Sequence, residues 1–374
     1  MNVLPFKTLR FVVFLLAITV SLPGQEVIDN SAQPLSQSAG RVVELEEVLR
    51  IRETGDQFFF RFPYNLRISP DGTISVQDRD AIYQFNVEGQ YLRNLFKKGQ
   101  GPGEMGYVMN YLPNKDRIVI HSRDPNKILW LTSDGSLWKE ISLPKELTIS
   151  TLRFYANDSY YFQKSSWPEM KGTEEIKDVP QDLIAFDESN GQVETIASFP
   201  SKYFMIQGGG ARGMISIEPF LIVPWQNALA ISHTREYLVK ILDLKSGRVV
   251  RAFRRDYKRV KAPEKVDEKK QPRIIINNKT YTAPPQKFQE DIRNLFVQGG
   301  QLWVMTSTVD ERKGVLFDVF DLEGRFVDNF YLRFPRSLPD PMFGSFQMEL
   351  SGGYLYLVEK DESEISTVVK YNLR

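Results

Sequence analysis

Leu66-Arg67-Ile68-Ser69-Pro70-Asp71-Gly72-Thr73-Ile74-Ser75-Val76-Gln77-Asp78 is the stretch that decides the fold. Two short runs rich in β-favouring residues flank Pro-Asp-Gly, whose fixed φ and glycine suit a tight reversal, so the stretch reads as a hairpin. Residues 81–86 alternate as a third strand, and Val87-Glu88-Gly89-Gln90 turns into a fourth at 91–96. The result is one four-stranded antiparallel unit. Its opening turn returns at Asn114, Asn157-Asp158, Gln226-Asn227, Gly299-Gly300 and Gly352-Gly353, and its later turn at Asp134-Gly135, Asn190-Gly191, Ser246-Gly247 and Glu323-Gly324. Six copies of a unit that cannot bury both faces alone predict an all-β, six-bladed β-propeller. The sixth copy ends after its third strand, while Val42-Val43-Glu44-Leu45-Glu46-Glu47-Val48-Leu49-Arg50-Ile51 forms a strand with no blade of its own. That N-terminal strand is expected to complete the last blade and close the ring.

The chain divides into three segments. Residues 1–25 carry Lys7 and Arg10 before an apolar run that ends at Pro23-Gly24, the layout of an export signal, and the run is shorter than a membrane span needs. Residues 26–40 are polar and turn-rich and read as a linker outside the fold. Residues 41–374 hold the propeller.

Composition narrows the chemistry. The 374 residues include 48 Lys plus Arg and 47 Asp plus Glu, a balance without the basic footprint of a nucleic-acid binder. With no cysteine and two histidines, disulfides, thiolate nucleophiles and a three-histidine zinc site are excluded. No nucleophile, base and oxyanion arrangement is visible, so no catalytic residue and no resident cofactor is assigned.

Loop lengths point to a working face. In each unit the first-to-second and third-to-fourth turns share one face and are tight. The insertions at 163–182, 200–218, 254–291 and 306–314 all fall on the other, where binding residues are usually carried.

Residues 68–78, then Ile82-Tyr83-Gln84-Phe85-Asn86-Val87-Glu88-Gly89, and above all Gly99-Gln100-Gly101-Pro102-Gly103-Glu104, resemble the bacterial six-bladed β-propeller family related to NHL-repeat proteins. The resemblance covers residues 64–135 well and the rest schematically. It implies a secreted or envelope-attached, periplasmic propeller, mostly without assigned activity.

Aligning second-strand ends places Asp78, Arg79, His121, Arg123, His233, Arg235 and Glu359 at one loop level, and Glu104 lies between the first two blades; these are the ligand-binding candidates. Two histidines with Asp78 and Glu359 are a conceivable metal set, against which stands the commoner role of histidines satisfied at strand ends. Residues 251–273 hold ten Lys or Arg against four acids and could touch an anionic surface, although two prolines and no apolar periodicity give them nothing to fold on. Gln207-Gly208-Gly209-Gly210-Ala211-Arg212-Gly213 reads as a rim loop, and Trp167 could stack on a sugar. The expected function is an exported binding module that meets a protein or envelope glycan through the long-loop face, with no nucleic-acid partner and no transmembrane span in the mature chain. The alternative is a metal-assisted hydrolase or lyase of the gluconolactonase type, with a divalent cation at the channel mouth.

Overall fold

The turn residues close the hairpins as expected: Gly72 takes φ +88° and Gly135 φ +83°, conformations that a side chain disfavours. In the computed structural model, which describes residues 27–114, 116–264, 271–335 and 347–374, these hairpins build six antiparallel blades. Blade one runs Pro63–Ile68, Ile74–Asp78, Ile82–Phe85 and Tyr91–Asn94, and blade two Val108–Pro113, Arg117–Ser122, Lys127–Thr132 and Leu137–Ser142. Blade three comprises Ser150–Ala156, Ser159–Ser165, Glu174–Asp187 and Gln192–Gly208, and blade four Leu221–Trp225, Ala228–Ser232, Val239–Asp243 and Arg248–Arg255. Blade five is Ile292–Gln298, Gln301–Asp310, Gly314–Phe320 and Phe326–Arg333, and blade six Met348–Ser351, Tyr354–Lys360 and Ser366–Leu373.

Alternating strand residues face two neighbours, so the apolar core is divided into seams between blades. Ile82 and Leu95 meet Tyr111 and Ile120 between blades one and two, and Trp130 meets Phe162 between two and three. Leu183 meets Leu229, Phe253 meets Phe320, and Phe330 meets Leu357 around the next three seams. Val358 and Val368 of blade six then pack with Leu66, Ile74 and Phe85 of blade one, which closes the ring.

Ring closure uses the N-terminal strand, as the sequence predicts. Arg41–Ile51 pairs antiparallel with the third strand of blade six, from Leu45 opposite Leu373 to Ile51 opposite Val368. Its first half does something further, pairing parallel with blade five from Arg41 opposite Phe330 to Glu44 opposite Arg333. One strand therefore welds two blades into a single eight-stranded sheet.

The assignment of 26–40 to a linker outside the fold is corrected. Val27–Asn30 pairs parallel with the outer strand of blade four, Val27 opposite Ala252 and Asn30 opposite Arg255. Asn30 also donates to the Arg254 and Gly324 carbonyls and accepts from the Phe326 N–H, and the Leu35, Ser36 and Gly40 N–H groups bond to blade five. Two apolar residues amid polar ones carry no visible period, which is why the sequence hides this strand. Residues 1–25, read as a signal, lie outside the described residues.

The insertions read as loops at 163–182 and 200–218 are largely strand. Ser165 opposite Gln181 is the last pair with the second strand of blade three, yet Glu174–Asp187 and Gln192–Gly208 stay paired to Glu174 opposite Ile206. At about 3.3 Å per residue the extension projects roughly 20 Å beyond the blade. Gly209 and Gly210, both at positive φ, turn it into a third strand, Ala211–Ser216. Part of the insertion between blades four and five folds too, as a hairpin of Arg273–Ile276 and Lys279–Thr282 turned by Asn277-Asn278. It packs on the extension around Phe204, Ile206, Ile215, Ile217 and Ile276. A Cβ on Gly213 would meet Ile274 at 2.9 Å, so glycine permits this close approach.

Candidate functional site

Three of the four insertions, 163–182, 200–218 and part of 254–291, come together as a folded arm, while 306–314 closes a hairpin within blade five. Its surface presents Ile176 and Ile275 at 51% and 66% exposure, with Arg212 over Trp167 at 5.6 Å and Lys279 paired to Glu174 at 3.2 Å. At its base, Gln163 donates to Gln181, and Arg153 Nε donates to Gln163, linking the arm to the inner strand of blade three. The basic segment is partly anchored: Arg254 pairs with Asp29, Arg255 with Asp318, and Arg259 with Asp291.

The eight residues singled out by sequence are dispersed, and most are engaged inside the protein. Asp78 accepts the Arg61 and Phe62 N–H groups at 2.6 and 3.0 Å, and burial pushes its carboxyl above the ordinary value against those bonds. With Arg79, which takes φ +45°, it borders a shallow surface pocket of about 160 Å³ that also includes Phe59, Arg61 and Tyr83. Glu104 accepts the Gly101 N–H and braces the glycine turn, for a Cβ on Gly99 would fall 1.9 Å from its carboxylate. Arg123 lies over Tyr107 at 5.0 Å. Arg235 is a clasp, donating to the Ile217 and Phe288 carbonyls and pairing with Glu290. Glu359 accepts the Tyr371 hydroxyl at 2.7 Å and faces Arg50, tying the N-terminal strand to blade six.

Neither histidine reaches a ligand site. His121 is fully buried, edge-on to Phe162 at 5.3 Å, and burial lowers its pKa to about 4. His233 bonds the Pro200 carbonyl through Nδ1 and receives Lys240 Nζ at Nε2, and burial followed by the Lys240 charge lowers its pKa. Among the described residues, no three His, Asp or Glu side chains gather as metal ligands. A pH prediction follows. The unfolded chain binds a proton at His121 below about pH 6.5, while the folded chain binds it only below about 4. Stability from this group is therefore full above pH 6.5, and ~3 kcal/mol of it is lost as pH falls to 4. His121→Gln should flatten that part of a denaturant-midpoint profile; an unchanged slope would refute the assignment.

Sequence reasoning missed the channel wall. The inner strand of each blade borders the axis, and single-residue irregularities interrupt its pairing near Asn65, Met109, Arg153 and Arg293. At this level Asn65 donates to Gln77 and Asn110, Gln77 donates to Tyr64, and Asn110 donates to the Leu152 carbonyl. Arg67 pairs with Glu349 of blade six at 3.2 Å. Among the described residues, Arg153 hydrogen-bonds Gln163 alone, and its pKa is lowered to about 10 by burial and then by the Arg67 charge. A charged residue between two apolar ones in an inner strand, as in Leu152-Arg153-Phe154 or Met348-Glu349-Leu350, was the available signal.

With blades, seams and closure in place, the molecule is defined as a six-bladed β-propeller. Residues 37–198 match the family described as 6-bladed beta-propeller, in agreement with the resemblance carried by the first blade. A solved structure of a protein described as exported, from Bacteroides fragilis, is 12% identical with a TM-score of 0.52, covering 93% of this chain and 100% of that one. A streptogramin B lyase is 11% identical with a TM-score of 0.45 over 89% and 98% of the two chains. A gluconolactonase from Xanthomonas campestris is 12% identical with a TM-score of 0.42 over 92% and 99%. At such identities the likeness concerns the fold and says nothing of chemistry. No curated protein matches the sequence. Among the described residues, no helix is long and apolar enough to cross a membrane.

Proposed function

We propose that the chain is an exported binding module that meets a protein or envelope glycan through the face bearing the arm. The observation that carries this reading is the arm itself. Strands from two different insertions, the extension of blade three with Ala211–Ser216 and the hairpin of Arg273–Ile276 and Lys279–Thr282, pack together as an arm with an apolar core of its own. Neutral drift of surface loops would not produce a shared core, and such a layer adds contact area on a rigid base. Exposed Ile176 and Ile275, with the Trp167 and Arg212 pair, supply the apolar and aromatic anchors that recognition surfaces favour. The metal-assisted alternative is supported less well. The acids it would draw on are engaged elsewhere: Asp78 by backbone N–H groups, Glu349 by Arg67, and Glu359 by Tyr371.

The test is cosedimentation with isolated cell-envelope polysaccharide and, separately, with solubilised envelope proteins. The double change Ile176→Asp and Ile275→Asp touches only exposed side chains and should leave the melting temperature unchanged while weakening association with one fraction at least tenfold. Equal association of parent and variant with both fractions would overturn the reading.

A further inference from the structure

We infer that the groove at the base of the arm binds a neutral saccharide between Lys164 and Asp182. This deepens the reading above by naming the glycan, and it rests on that reading. The groove has a volume of about 490 Å³, inside the roughly 300–1,000 Å³ usual for ligand sites. Its floor is the flank of blade three, where Lys164 stands on the second strand, Asp182 and Ile184 on the third, and Val193 and Thr195 on the fourth. Residues two apart on a strand share a face, so Asp182 looks the same way as Ile184, and Val193 as Thr195. The pairing slips at Ile196, next to Thr195, an irregularity of the kind that re-aims side chains beside sites. Pro144 and Glu146, on the connection from blade two, form the facing wall. Leu143 and Leu147 bury in the seam with Phe162 and Ile184, and Asn126 donates to the Leu143 and Pro144 carbonyls, so this wall is set before any ligand arrives.

The charges in the groove are held apart. Lys164 and Asp182 are directly opposite on neighbouring strands, a placement in which opposite charges ordinarily meet. They form no ion pair. Lys164 Nζ donates to the Glu146 carbonyl at 2.8 Å, and Asp182 accepts the Ser166 and Ser198 hydroxyls at 2.8 and 2.6 Å. The ammonium keeps two further protons, and each oxygen of the carboxylate keeps a further lone pair. A sugar hydroxyl both donates and accepts, so adjacent hydroxyls bridge a cation and an anion separated in this way. Ile184, Val193 and Pro144 offer an apolar surface to the C–H face of the ring, and Glu146 and Thr195 add polar groups at the exposed rim. Glu146 and Asp182 against Lys164 alone leave the lining net negative, which disfavours an acidic sugar.

The experiment titrates the full chain calorimetrically with maltotriose, triacetylchitotriose and trigalacturonate, with thermal shift alongside. At least one of the two neutral trisaccharides should bind and raise the melting temperature, and trigalacturonate should bind more weakly than it does. A hydrogen bond to a charged group is worth about tenfold in affinity or more, so Asp182→Asn and Lys164→Met should each weaken binding by about that factor. Thr195→Trp, at an exposed position, fills the groove without entering the core. It should abolish binding at an unchanged melting temperature, which separates a lost site from a lost fold. Glu194→Gln, one residue along and directed to the other face, should bind as the parent does. Neither Ile176 nor Ile275 lines the groove, so their double aspartate variant should keep trisaccharide binding. Trisaccharide binding in a chain whose envelope association ignores that double change would unseat the arm and leave this site standing. No binding of either neutral trisaccharide, tighter binding of trigalacturonate, or equal binding by the parent and Thr195→Trp would overturn the proposal.

Discussion

A chain lacking residues 27–51 is expected not to fold cooperatively. Arg41–Ile51 supplies the outer strand of blade six, and without it that blade keeps three strands and an open edge. Val43 and Leu45 pack into the seam between blades five and six, and Leu49 and Ile51 into the seam between six and one. Ile51 is buried and the other three are half-buried, so at roughly 1.5–3 kcal/mol per fully buried side chain the four contribute about 4–8 kcal/mol. That is comparable to the entire 5–15 kcal/mol typical of a domain, so the loss is not survivable by adjustment elsewhere. Surface ion pairs such as Arg41 with Asp328 and Glu44 with Arg333 add little to this. Deleting only 27–34 removes the strand on blade four and should lower the melting temperature while leaving one cooperative transition. Circular dichroism melts of the two truncations, compared with the full chain, check this. A cooperative transition for the longer truncation within a few degrees of the parent would refute the closure.

The blades were legible because their information is local. A Pro-Asp-Gly or Asp-Gly turn between alternating runs needs no distant partner to be recognised, and six recurrences multiply the signal. The arm was not legible for an equally physical reason. Pro180 and Pro200 interrupt its two long strands and discourage a strand reading, yet the structure sets them opposite each other where the strands leave the blade. The extension is stabilised by Phe204, Ile206 and Ile215 meeting Ile276, a contact between insertions that no local period announces. Among the candidate site residues, the strand end at Asp78 was legible, and Asp78 and Arg79 border a surface pocket. Their roles were not, because a side chain's free valence depends on neighbours remote in sequence, as when Arg235 is consumed by the Ile217 and Phe288 carbonyls. Arg153 and Arg293 escaped because an extra residue in a strand reverses the alternation from which inward positions are counted.

The second large effect is expected at Asp318. Its side chain is fully buried in blade five and accepts Arg255 Nε at 2.8 Å and the Tyr237 hydroxyl at 2.7 Å, both from blade four. Arg255 is itself 7% exposed and lies between the rings of Tyr237, Tyr257 and Phe326, at 5.2, 4.9 and 5.2 Å. Burial works against the Arg255 charge, and Asp318 more than offsets it, so the guanidinium is held above its ordinary pKa. Asp318→Ala would leave that cation buried without a counter-ion and the Tyr237 hydroxyl without its acceptor, a loss of about 3–5 kcal/mol. Replacing both partners, Asp318→Leu with Arg255→Met, removes the uncompensated charge together with its cause. Most of the stability should return, since a buried pair of opposite charges is often worth no more than an apolar pair of similar volume. Urea midpoints of the two single variants and the double variant form the measurement. A double variant less stable than either single would show that the ion pair itself holds blades four and five together. An Asp318→Ala midpoint close to the parent's would show that the Arg255 charge escapes to water between the blades.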